Sequence, residues 1–292
     1  MKFDRQQLWW GSTWAYRLFR YHHIQLNNIY WSYAPVASDA LKRVQAQVPT
    51  VETSDFFDFH TVDAMRLPHP LSKWEPAFKD CQTWVKSSLV LVIASILEVY
   101  IRTAVALALE SDPGLLLGRS GLIDGAKLMK GNPTYSYLSH GEKCVSGDWR
   151  TRIAMYQSYF GKVPKDLGDS VKDLEQLRNF RNGVGHTFGR NAREYRSRLD
   201  VRPKPLTNVS ENRLKKWLSL VEKVVKAIDE HLGPEHIGAY ECIYFFHSKI
   251  KLLPPTGHTT PATTLKKELN LLHGHAPGID FCKDLIKYYD KL

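Results

Sequence analysis

Between Ser88 and Glu110 the chain runs SLVLVIASILEVYIRTAVALALE, and nothing else in it restricts the possible folds so severely. A stretch this long without Gly or Pro exceeds any ordinary strand, so it predicts a helix over about residues 79–110. A helix that is apolar nearly all round has to be enclosed, by lipid or by other helices. Glu98 and Arg102 interrupt the run four residues apart. At the centre of a membrane helix each charge costs about 2.5–3.5 kcal/mol on the insertion scale. The sequence therefore predicts the central helix of a soluble, all-α bundle and no membrane partner. For the buried Glu98 two explanations stay open, an internal pair with Arg102 on one helix face and a functional role.

The remaining helices follow from periodicity and punctuation. The first 35 residues are dense in Trp, Tyr and Phe, and Trp14, Leu18, Tyr21 and Ile24 fall near helical spacing, giving a helix over about 11–32. A second is expected over 37–47, and residues 48–75, with Pro49, Pro68 and Pro70, read as a surface connector. Residues 131–148 read as a loop, Trp149–Phe160 as a helix, and Gly161 with Pro164 as a break. Leu214, Leu218, Val221, Val225, Ile228 and Leu232 are spaced 4, 3, 4, 3 and 4, as in a helix packed lengthwise on another, and Gly233-Pro234 supplies its stop. Further helical pieces are expected at about 264–273 and 278–290.

One helix carries more than a packing stripe. In DSVKDLEQLRNFRNGVGHTFGR, Asp169 to Arg190, Ser170 and Asp173 resemble a capping box, and Val171, Leu174, Leu177, Phe180, Val184 and Phe188 make an apolar stripe. Beside it stand Arg178, Asn182 and His186 at i, i+4 steps, together with Arg181 and the glycines Gly183 and Gly185. Each Gly costs roughly 0.8–1 kcal/mol against Ala inside a helix, and packing alone gives no reason for two.

The hexad Arg181-Asn182-Gly183-Val184-Gly185-His186 resembles the Arg-Asn-x3-His signature of the HEPN superfamily of α-helical ribonucleases and dimerisation domains. The resemblance covers about residues 81–232 and implies a HEPN-like up-down helical bundle. An aromatic-rich N-terminal helical extension (1–80) and a C-terminal helical extension (233–292) would flank it. It further implies a homodimer with the motif at the subunit interface, and a Glu98 placed to orient Arg181. The activity implied is metal-independent endoribonuclease, of a toxin or antiphage-defence kind, with a non-catalytic dimerisation or adaptor protein as the alternative. RNA, tRNA included, is the expected substrate, and an antitoxin or sensor protein a further partner.

The residue chemistry suits such a reaction. Cleavage without a metal needs a group to move protons at the 2′-hydroxyl and leaving 5′-oxygen, and a cation for the crowded phosphorane. His186 exchanges protons near neutrality, and Arg181 offers a fork matched to phosphate oxygens. At 100° per residue the two point about 140° apart on one helix, so a single copy makes a poor site and a two-fold pair a better one. Asn182 stands one turn before His186, placed to hold the imidazole or a phosphate oxygen. Downstream, Arg190, Arg193, Arg196 and Arg198 form a basic run suited to the RNA backbone, with Arg178 nearer the motif.

Composition agrees with a polyanionic partner. Forty Lys and Arg against 30 Asp and Glu give a net charge of +10, which favours nucleic acid or an anionic surface. The four cysteines form no CxxC pair and no secretory signal precedes them, so a reduced cytoplasmic protein is expected, with neither metal nor cofactor. His258, His273 and His275 lack an acidic or Cys partner at ligand spacing.

Overall fold

The structure, a computed structural model, describes residues 2–131, 136–187, 207–251, 260–273 and 277–292, without the side chains of Thr187 and His273. The fold is all-α, with twelve α-helices and no strand among the described residues. In order they are α1 (Trp14–Gln45), α2 (Thr53–Phe56), α3 (Leu71–Ser111), α4 (Gly125–Lys130), α5 (Leu138–Lys143) and α6 (Trp149–Phe160). Then come α7 (Lys165–Asp169), α8 (Val171–Thr187), α9 (Glu211–Leu232), α10 (Tyr240–Phe245), α11 (Pro261–His273) and α12 (Ile279–Lys291). Two π turns, Gly233–Ile237 and Phe246–Ile250, follow α9 and α10.

These group into two compact units, each assembled from separated segments. A terminal unit comprises Met1–Arg20, Leu97–Lys172 and Glu222–Leu292; a motif unit comprises Tyr21–Ile96 and Asp173–Val221.

In the motif unit, α1 runs antiparallel to α9, since His23 Nε2 lies 3.2 Å from the Leu218 carbonyl and Tyr30 reaches Glu211 at 3.5 Å. The α8 helix is also antiparallel to α9: Lys216 meets Asp173 at 2.8 Å, and Phe180 lies 5.3 Å from the Trp217 ring and within 5.9 Å of the Arg213 guanidinium. Leu174, Leu177 and Val184 of α8 are buried, as are Leu214 and Val221 of α9.

In the terminal unit the N-terminal segment is fastened by polar contacts. The Thr13 hydroxyl accepts the Tyr16 N–H at 3.1 Å, capping α1, and donates to Asp229 at 2.5 Å. Glu241 accepts the Trp14 N–H at 3.0 Å. Two buried acids thus stand at the positive end of α1, whose own first turn has none. Upstream, Arg5 donates to the carbonyls of Ile237 and Ser111, at 2.9 and 3.2 Å, and pairs with Asp124. Asp124 caps α4 and also receives the Tyr288 hydroxyl. Gly125, next to it, has no room for a side chain, since a Cβ would meet the Glu110 carbonyl oxygen at 1.7 Å. Elsewhere α10 packs on α4 and α11 on α12.

Several expectations are corrected. One 32-residue helix replaces the two expected over 11–47, because α1 continues through Pro35. That proline is exposed, so water can serve the Trp31 carbonyl left without its bond. Part of the expected connector is helical: α3 starts at Leu71 and runs through exposed Pro76 for 41 residues. It is long and apolar enough to cross a membrane, and just over half of its most apolar stretch is buried within the protein. The expected loop 131–148 contains α5. Gly233-Pro234 does end α9, and a π turn follows it.

The stripe read on α1 is also corrected. Leu18, Tyr21 and Ile24 are exposed, whereas Phe19, His23, Leu26, Tyr30, Ala37 and Val44 are buried. This aromatic-dense helix has apolar residues on several faces, so spacing alone does not identify the one that packs.

Candidate functional site

The motif occupies the last turn and a half of α8. Its helix is held by Leu174, Leu177 and Val184 on the inner side, which turns the polar residues outward. Arg181 and Asn182 are half-buried and His186 is exposed. Arg181 Nη1 donates to Asn182 Oδ1 at 3.0 Å. Arg178, one turn earlier, is held by Glu175 of its own helix at 2.5 Å. A phosphate would compete with that carboxylate, and half-exposed i, i+3 pairs yield readily because water already screens them.

Both glycines keep α8 helical, and among the described residues a Cβ at Gly183 or Gly185 would meet no atom within 4 Å. Gly185 is exposed, so packing against the described residues does not offset its helix penalty.

Glu98 is engaged within the terminal unit. Its carboxylate accepts Arg152 Nη2 of α6 at 3.1 Å, with side chains 20% and 7% exposed. Both belong to the terminal unit, whereas Arg181 belongs to the motif unit. The partner Arg152 stands 54 residues away and was not foreseen, because no local spacing announces such a pair. The basic run Arg190, Arg193, Arg196 and Arg198 lies outside the described residues, as do His258 and His275.

Sequence reasoning missed a set of buried polar groups in the terminal unit, around His231 and His236 at the end of α9. Among the described residues, His231, Glu235 and His236 bring three potential ligand atoms within 4.8 Å of one another. The signal was His231 followed by Glu235 and His236, which an α-helical template splits across two faces.

No family model matches this chain, and no curated protein or solved structure does so either.

Proposed function

We propose that this protein is a metal-independent endoribonuclease acting as a homodimer, with the α8 helices of two copies meeting at the two-fold. The observation that carries the reading is the exposed Gly185, where a Cβ would meet no described atom within 4 Å, on the helix bearing Arg181, Asn182 and His186. Glycines let a second backbone approach closely, and a second copy is the partner that would place two histidines and two arginines around one cleft. There His186 moves the proton at the 2′-hydroxyl or the leaving oxygen, Arg181 stabilises the phosphorane and Asn182 holds the imidazole or a phosphate oxygen. The products are a 2′,3′-cyclic phosphate and a free 5′-hydroxyl. A HEPN-like arrangement, a toxin or defence role, a tRNA substrate, an antitoxin or sensor partner and a cytoplasmic location belong to the same reading.

The Arg181–Asn182 hydrogen bond favours a second reading, since two of the three motif groups already satisfy each other. In that case the hexad only closes a dimer or adaptor interface. Incubating the purified chain with total RNA in EDTA, beside His186→Ala, tests the proposal, with the fold followed by circular dichroism. Cleavage to cyclic-phosphate ends by the wild type alone is expected. Intact RNA with both folded proteins would leave the adaptor reading in possession.

A further inference from the structure

At the end of α9 two buried imidazoles each keep one ring nitrogen without a hydrogen bond. His231 and His236 are 7% and 8% exposed, and Nε2 of each is buried with no hydrogen bond. The opposite nitrogens are both held, His231 Nδ1 at 2.7 Å from the Tyr156 hydroxyl and His236 Nδ1 at 3.2 Å from Asp112 Oδ2. Asp112 also accepts the Ser120 hydroxyl at 2.5 Å and the Gly121 N–H at 2.9 Å. An acid gathering donors in this way takes the Nδ1–H of His236 and leaves the Nε2 lone pair bare. A carboxylate behind a histidine whose far nitrogen is bare is the usual support of a metal ligand.

Glu235 completes the set. Its Oε2 lies 3.6 Å from His231 Nε2, beyond hydrogen-bond reach, while Oε1 is held by Lys162 at 2.6 Å. Tetrahedral zinc, with bonds of about 2.0–2.2 Å, sets its ligand atoms roughly 3.4 Å apart. The His231–Glu235 pair is already near that spacing, and the widest pair of the three is no more than 4.8 Å apart. Glu235, with its side chain 42% exposed, is free to close the difference.

The backbone explains why the two histidines converge. Five residues apart on an α-helix they would diverge by about 140°. Gly233–Ile237 is instead a π turn, with the Gly238 N–H bonded to the Gly233 carbonyl at 2.8 Å, and its i→i+5 closure brings such positions into line. The Phe160 ring lies 6.2 and 5.4 Å from the two imidazoles and gives the cluster an apolar wall.

We propose that His231 Nε2, His236 Nε2 and Glu235 Oε2 bind one divalent transition metal of the zinc type, with Asp112, Tyr156 and Lys162 orienting the ligands. Two imidazoles and a carboxylate suit zinc better than the oxygen-seeking calcium or magnesium, and three protein ligands leave a fourth position for water. The site lies in the terminal unit and the motif in the other, so it stands or falls separately from RNA cleavage.

The test is metal uptake by the full chain, stripped with chelator and titrated with Co2+, then Zn2+, while visible absorption and metal content are read. One equivalent per chain with a tetrahedral cobalt spectrum, displaced by Zn2+, is expected. Glu235→Gln should weaken uptake roughly tenfold or more, and His236→Asn should abolish it. If His236→Asn does not fold, Glu235→Gln decides alone. No saturable uptake, or equal uptake by wild type and the folded variants, overturns the proposal, the second result placing the metal on other histidines.

Discussion

Glu241 is a buried acid at the N-terminus of α1, and its protonation should leave a mark on stability. Burial pushes its carboxyl up from 4.5 to about 8, with the Trp14 N–H pulling it down and Asp229 adding to the rise. An acid whose pKa is raised by folding stabilises the protein while protonated, and that contribution is lost as pH rises through the folded value. With 1.36 kcal/mol per unit, the stability Glu241 contributes should fall by roughly 3–4 kcal/mol between pH 5 and pH 8. Other groups add their own pH dependence, including His231, which burial holds down to about 4. The informative quantity is therefore the difference between the wild type and Glu241→Gln, whose amide keeps an acceptor for the Trp14 N–H and carries no proton to lose. Urea unfolding of both at half-unit steps of pH should show the wild type losing ground steadily to the variant. A flat difference would refute the reasoning. A difference of opposite sign would show that the positive end of α1 and its N–H groups outweigh burial and keep Glu241 ionised.

Gly183→Ala and Gly185→Ala separate fold from assembly: each should stabilise an isolated chain by about 0.8–1 kcal/mol, since the added methyl meets no atom among the described residues, yet weaken the dimer, as analytical ultracentrifugation would show. Unchanged dimerisation in both would remove the glycines from the interface. Neutralising Arg190, Arg193, Arg196 and Arg198 together should weaken RNA binding and flatten its salt dependence. Arg181→Ala should spare binding and reduce single-turnover cleavage, and equal rate losses at saturating RNA would show that capture and chemistry are not divided this way. Arg152→Ala leaves the Glu98 carboxylate without this partner and should cost about 2–4 kcal/mol in chemical denaturation, whereas a loss under about 1 kcal/mol would mean that water replaces the guanidinium.

The helical class was legible because α9 packs one face only: Leu214, Val221, Val225, Ile228 and Leu232 are all fully buried where their spacing placed them. Leu174, Leu177 and Val184 of the motif helix were legible for the same reason. On α1 the same template chose the exposed Leu18, Tyr21 and Ile24, since apolar residues there surround the helix. Of the candidate site, the exposure of His186 could be inferred from its offset from the stripe, but the Arg152 partner of Glu98 could not. Contacts such as Thr13 to Asp229, 216 residues apart, leave no trace in local pattern. The π turn escaped for another reason, because a reading at 100° per residue assumes the very geometry that this turn abandons.

The segmented terminal unit also has a consequence for how the chain is made. Residues 1–20, carrying Phe3, Trp9, Trp10 and Trp14, leave the ribosome before the rest of this unit, but their seat includes the segment Glu222–Leu292. Phe3 waits for Phe281 and Tyr288, and Arg5 for the carbonyl of Ile237, 232 residues later. At about 5–20 residues per second, that wait is roughly 10–50 s. During it this cluster of aromatic side chains lacks part of its seat, and a transcript cut short before the codon for Gly238 would never complete it.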